Sequence, residues 1–370
     1  MPASHLRRVT LSASTPGLSR LGVNAVAQDL NKAIEPTKNV KRQAEPASVS
    51  AATTTAAAAS AGASTSDFFT GPITGEPNDK WWPYQWAPRS IGAPAAWAKG
   101  INGKGVRVAV VDGSFANITF ETDTDEPHGL WVSGIIGAEA NNGRSVVGVA
   151  YGSTLIGVQV FDERTAPDST IIQGILYAAE RKDKGGAGAD IINLSLGSYL
   201  DRSDLRQNKT TGEDRENVMM MFNKALAFAN KNGVLVVASA GNDVIDFNSQ
   251  KSNFTSPCES ANVICVAANA PVGICPGPCE DNDVICLAPN GLDFAGANYS
   301  RLASYSNYGR AVDVTAPGGD FANAPNPCFF DDFIATTTDS GFTLWASGTS
   351  FSAPHVSALA ALYIQKAAMD

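Results

Sequence analysis

The sequence predicts an α/β fold: a mainly parallel central sheet flanked by helices on both faces, behind a disordered N-terminal flank. Three observations carry this. Runs such as Val106-Arg-Val-Ala-Val-Val111 are apolar without alternation, as in strands buried on both faces. Helix-length segments separate these runs, so the connections read strand–helix–strand and the pairing is parallel. The polar residues suited to chemistry stand just after strands, where ligands bind in such folds.

The elements follow in order. Residues 1–75 show no sustained periodicity, and 47–66 is an Ala/Ser/Thr tract of linker composition. They form a flank, with one globular domain over 76–370. Trp81, Trp82 and Trp86 require burial, and residues 91–97 read as a short helix with Pro94 near its start. Strands are expected at 106–111, 154–161, 190–196, 234–239, 262–268 and 312–316. Helices are expected at 132–138, at 170–181 with Ser169 or Thr170 as cap, and at 216–230. Asn232-Gly233 would stop the third of these. A further helix starts at Ser350, with Pro354 in its first turn.

Composition narrows the function classes. The 370 residues are 44% hydrophobic, enough for a large core, and no apolar run reaches the ~18 residues of a membrane span. The net charge of −9 divides into +3 over residues 1–75 and −12 over the rest. An acidic globular part argues against nucleic acid as a partner. Six cysteines (Cys258, Cys265, Cys275, Cys279, Cys286 and Cys328) lie in loop-rich sequence, which predicts disulfides and an oxidising compartment. Zinc is the alternative, but Cys275 and Cys279 lack a second ligand pair. Fifteen full pairings remain open. Met1 to Ser14 holds Arg7-Arg8 with no apolar stretch after it, so no signal peptide is read there.

Four polar residues stand where chemistry is expected. Asp112 follows the 106–111 strand, His128 opens a helix 16 residues later, and Asn242 follows the 234–239 strand. Ser350 opens the 350 helix, whose unpaired N–H groups favour negative charge. Each has a plainer reading alone: a turn cap, a structural histidine, a Gly-Asn turn, a helix cap. A serine nucleophile needs a base. His355 is five residues along the same helix, ~500° of rotation away, so His128 is the better base. Together the four supply an orienting acid, a base, an oxyanion donor and a nucleophile.

From about Trp82 onward the chain resembles the subtilase (subtilisin-like) serine endopeptidases. Gly348-Thr-Ser-Phe-Ser-Ala-Pro-His355 is similar to their nucleophile motif, and Ala240-Gly-Asn-Asp243 to their oxyanion segment. Val110-Val-Asp112 and His128-Gly-Leu-Trp-Val-Ser-Gly134 are similar to the aspartate and histidine motifs. Gly148-Val-Ala150, Asp190-Ile-Ile-Asn-Leu-Ser-Leu-Gly197, Ala303-Ser-Tyr-Ser-Asn307 and Asp313-Val-Thr-Ala-Pro-Gly318 add to the match.

The resemblance implies a secreted, monomeric endopeptidase acting on proteins and peptides through Asp112, His128 and Ser350, with Asn242 at the oxyanion. It places Ser195, Leu196 and Gly197 on one wall of the substrate channel and Thr165, Ala166 and Pro167 on the other edge. Ser239, Ala240 and Gly241 would line the primary pocket. Their small side chains suggest room for a large apolar group. The resemblance implies catalysis without a metal or other cofactor. Asn141-Asn-Gly143, with Asp123 and Asp125, marks a candidate structural calcium loop, whose other reading is a polar surface loop.

Gly113 stands where the family usually carries Ser or Thr, and Leu130-Trp131 where it carries Thr-His. These departures leave a second reading, a catalytically impaired binding module. Family members also extend further beyond the nucleophile than Asp370, so a truncated C-terminus is expected.

Overall fold

A computed structural model of the chain describes residues 6–10, 71–115, 127–161, 166–201, 209–272, 293–321, 332–338 and 343–370. Its centre is an eight-stranded sheet. The strands are β1 (Leu6–Thr10), β2 (Arg107–Asp112), β3 (Thr154–Gln159), β4 (Ile191–Leu194), β6 (Leu235–Ser239), β8 (Ile264–Val272), β9 (Asn298–Leu302) and β10 (Val314–Pro317). The order is β1-β3-β2-β4-β6-β8-β10, all parallel, with β9 antiparallel on β8. The predicted mainly parallel α/β fold is the observed one. The edge strand β1 falls within the flank read as lacking structure; residues 11–70 lie outside the described residues.

Both faces of the sheet are covered, which is why its strands read as unbroken apolar runs. Along β2, Val108 and Val110 face one core with Ile191, Val237 and Val266. Ala109 and Val111 face the other with Ile156, Ile192, Leu194 and Val236. The second face is covered by α4 (Asp168–Ala179) and α5 (Lys209–Lys231), through Ile172, Ile175, Phe222 and Leu226. On the first lie α3 (His128–Gly137) and α6 (Thr349–Ala367). The interior face of α6 is small (Ala353, Ala358 and Ala361, all fully buried), so its backbone can run close over β4, β6 and β8.

The expected bounds lie within a few residues of the elements foreseen, except at α5, which begins at Lys209 rather than at 216. The α4 start differs: no side chain caps it, and Pro167 precedes an Asp168 whose carboxylate suits the positive helix end. Short elements escaped the reading. The short helix α1 (Trp86–Ser90), which buries Trp86, is one of them, whereas α2 (Ala93–Trp97) is the short helix expected at 91–97 and buries Trp97. Strand β5 (Ser198–Asp201) pairs antiparallel with β7 (Asn253–Ser256), and β11 (Ile334–Thr337) with β12 (Thr343–Ala346). Of the cysteines, Cys258 and Cys265 form a disulfide between β7 and β8; the other four lie outside the described residues. Trp82 and Trp86 are buried as expected, whereas Trp81 packs edge-on against Trp345 at 5.9 Å.

Candidate active site

Asp112 closes β2 at the carboxyl edge of the sheet, buried with 3% of its side chain exposed. Its Oδ1 accepts from the Gly113 N–H at 2.6 Å and faces His128 Nδ1 at 2.7 Å. An ionised carboxylate only accepts, so Nδ1 carries the proton and Nε2 presents its lone pair. His128 is the first residue of α3, and its ring stays 30% exposed. Gly129 permits this helix start: a Cβ there would lie 2.7 Å from the Phe115 ring.

The departures in the two motifs have visible consequences. Gly113 brings no hydroxyl to the carboxylate, and Asp112 Oδ2 is buried with no hydrogen-bond partner among the described residues. Leu130 is buried in the core. Trp131 stands edge-on to His128, ring centroids 6.2 Å apart, and walls one side of the imidazole.

Ser350 is the second residue of α6, just after Gly348, with no acidic side chain in the first turn. Its neighbour Phe351 packs against the His128 ring at 6.1 Å between centroids. Here the structure corrects the expectation for Pro354, which lies inside the helix rather than in its first turn. A proline there has no N–H for the carbonyl four residues earlier, that of Ser350. That carbonyl instead accepts from Ser195 Oγ at 2.7 Å, while Ser350 Oγ donates to the Ser195 carbonyl at 3.2 Å. This reciprocal pair locks the end of β4 to the start of α6. Asn193 holds Ser195 Oγ at 2.9 Å and Ser357 at 2.8 Å, extending the lock about two turns down the helix.

Asn242 stands beyond β6. Its Oδ1 accepts from the Thr349 N–H at 2.9 Å and the Thr349 hydroxyl at 2.8 Å. Those two donors fix which end of the amide is oxygen and turn Nδ2 outward. Gly348 stands beside that Nδ2: a Cβ placed on it would lie 3.7 Å away, an ordinary contact distance. The turn carrying Asn242 is held from beneath by Asn307, fully buried. Asn307 Oδ1 accepts from Asp243 N at 3.0 Å and Ile245 N at 2.9 Å, and its Nδ2 donates to the Ala240 carbonyl at 2.8 Å. In the sequence Asn307 stands only as the last residue of the Ala303–Asn307 motif. Its signal is an asparagine inside a tight Ser-Asn-Tyr-Gly run, which alone predicts a turn.

His355 points away from Ser350, as expected. Its Nδ1 lies 2.7 Å from the Phe351 carbonyl and the ring is wholly buried. Burial pushes its pKa down to about 4, against the opposing pull of the Phe351 and Pro317 carbonyls. A histidine neutral in the fold but protonated when unfolded stabilises fully above its unfolded pKa, and that contribution is lost as pH falls. Stability should therefore decline between about pH 6.5 and 4, by on the order of 3 kcal/mol from this group. Denaturant midpoints across that range test it. His355→Gln should show a shallower slope, and equal slopes would reject the assignment.

The remaining predicted site residues divide. Ser195 and Leu196 are buried and Gly197 exposed; Ser239 and Ala240 are buried and Gly241 partly so. Ala166 packs against the second core, Pro167 is exposed, and Thr165 lies outside the described residues. In the candidate calcium loop, N–H groups of Asn141 and Asn142 donate to Asp79 and that of Gly143 to Asn78. Amide hydrogens thus occupy the Asp79 oxygens, and a cation would have to displace them. Among the described residues no cluster of three or more His, Cys, Asp or Glu could hold a metal; Asp123 and Asp125 lie outside them.

Residues 110–369 match the Subtilase family, peptidase S8. The chain is 30% identical over 305 residues to the thermophilic serine proteinase of Bacillus sp. (strain AK1), covering 77% of this chain and 59% of that protein. It is 30% identical over 241 residues to the extracellular protease of Xanthomonas campestris pv. campestris, covering 64% of this chain but only 32% of that protein. Among solved structures, proteases from Pseudoalteromonas arctica PAMC 21717 align with a TM-score of 0.55 at 25% identity, covering 79% of this chain and 87% of that one.

Proposed function

The chain belongs to the subtilase family, and from that premise we propose that it is a serine endopeptidase whose triad is Asp112, His128 and Ser350, with Asn242 at the oxyanion. The observation that carries this is the 2.7 Å Asp112–His128 hydrogen bond, which fixes the tautomer a general base requires.

In the proposed reaction a turn about the Ser350 Cα–Cβ bond frees Oγ from the Ser195 carbonyl and offers its proton to His128 Nε2. Oγ then bonds to the substrate carbonyl carbon. The oxyanion develops against Asn242 Nδ2 and the Ser350 N–H, at the positive end of α6. Asp112 supports the imidazolium that forms. His128 returns the proton to the leaving amine, and water discharges the acyl-enzyme by the same route reversed. The channel would take an extended peptide, Ser195-Leu196-Gly197 pairing with its main chain and Thr165-Ala166-Pro167 forming the opposite edge.

We infer that a monomer carries out this reaction outside the cell on protein and peptide substrates. The Cys258–Cys265 disulfide and the relative named an extracellular protease support the location. Treatment with a fluorophosphonate probe should place the label on Ser350. A folded chain that takes up none would support the impaired binding module instead.

A further inference from the structure

The strands β4 and β6 run side by side, Leu194 opposite Ala238, and part at their carboxyl ends. Beyond them one chain continues through Ser195 to Tyr199 and the other through Ser239 to Asp243. Both are tied to the start of α6: Ser195 through Ser350, and Gly241 N through Thr349 Oγ1 at 3.0 Å. The gap between them is therefore the crevice a side chain next to a carbonyl at Ser350 would enter.

Tyr199 crosses that gap. It lies in β5 opposite Thr255 of β7, a pairing that puts the two side chains on one face. Its hydroxyl donates to Asp243 Oδ2 on the far side and accepts from Asn307 Nδ2 at 3.1 Å. It sits directly against Gly241: a Cβ there would lie 2.5 Å from the Tyr199 hydroxyl oxygen. Glycine at 241, with φ +100°, is what lets the phenol reach across. Desolvation and the Asp243 carboxylate push the phenol's pKa up to about 12, so it remains a donor at neutral pH. The small side chains at 239–241 suggested room for a large group, but Tyr199 reaches into that room from the other wall.

We infer that Tyr199 sets specificity: bridging the two strand ends beside Ser350, it limits the side chain accepted on the acyl side of the scissile bond to one the size of alanine or serine. This rests on the proposed serine-protease reading. A phenylalanine-sized group entering there would have to break the Tyr199–Asp243–Asn307 bridge, whose tyrosine is itself 40% exposed.

The test uses peptide para-nitroanilides that differ only in the last residue, alanine or phenylalanine, with enzyme concentration set by fluorophosphonate titration of Ser350. The wild type should cleave the alanine substrate with the higher kcat/KM. Tyr199→Ala should shift the Phe/Ala ratio of kcat/KM upward by about tenfold or more, the scale on which apolar pockets discriminate. Tyr199→Phe keeps the ring but loses the anchor, so its ratio should fall between the two. A wild type that prefers phenylalanine, or a titratable Tyr199→Ala with an unchanged ratio, would overturn the inference while leaving the reaction standing. An intact wild type that neither labels nor cleaves either substrate would overturn both.

Discussion

Ser350→Ala should lower kcat by about 10⁶-fold while KM stays nearly constant; a subtilisin is itself the worked case behind that magnitude. The expectation for this chain rests on what the hydroxyl touches. Oγ makes one 3.2 Å hydrogen bond to the Ser195 carbonyl and lies at the mouth of α6. Alanine removes that contact but leaves the Ser195 hydroxyl bonded to the Ser350 carbonyl, so the lock between strand and helix persists. Substrate affinity and fold should therefore survive, with a stability change within about 1 kcal/mol. Steady-state kinetics on peptide substrates and denaturant unfolding of the same preparation measure both. A kcat loss below a hundredfold would remove Ser350 from the nucleophile's place.

The second large effect lies at Asp112, where two substitutions should separate. Asp112→Ala strips His128 Nδ1 of its acceptor and should cost about 10⁴-fold in kcat, again a magnitude known from a subtilisin. Asp112→Asn need not lose the tautomer here. Oδ1 alone receives both the Gly113 N–H and His128 Nδ1, and Oδ2 has no partner among the described residues. An asparagine can keep its oxygen at the Oδ1 position and place its amide where Oδ2 now stands. It then loses only the charge that supports the imidazolium, while burying an unpaired N–H₂. We expect Asp112→Asn to retain at least tenfold more activity than Asp112→Ala and to be less stable than wild type. Equal kcat values would mean that the carboxylate acts through its charge alone.

Legibility followed burial. Strands β2, β4 and β6 were readable because both of their faces are packed, which leaves only apolar residues to write them. β9 was not: its residues alternate between exposed and half-buried, and Asn-Tyr-Ser-Arg-Leu carries little apolar signal. The candidate site was legible where a residue type and a strand end coincided, as at Asp112 and Asn242. It was not legible where function depends on partners far along the chain. Tyr199 meets Asp243 and Asn307, residues 44 and 108 positions away, so no local pattern announces it. Pro354 read as an ordinary first-turn proline. Only the fold shows that its missing N–H leaves the Ser350 carbonyl for Ser195, 155 residues earlier.

That last bond has a consequence for the order of assembly. Asp112, His128, Ser195 and Asn242 all precede Ser350 along the chain, so synthesis delivers the proposed base, its orienter and the proposed oxyanion amide before the proposed nucleophile. The serine reaches its place only when α6 settles over β4, β6 and β8, which those strands must first form a surface to receive. The proposed triad is therefore completed only by the docking of α6 on the sheet, where Ser350 and Ser195 exchange hydrogen bonds.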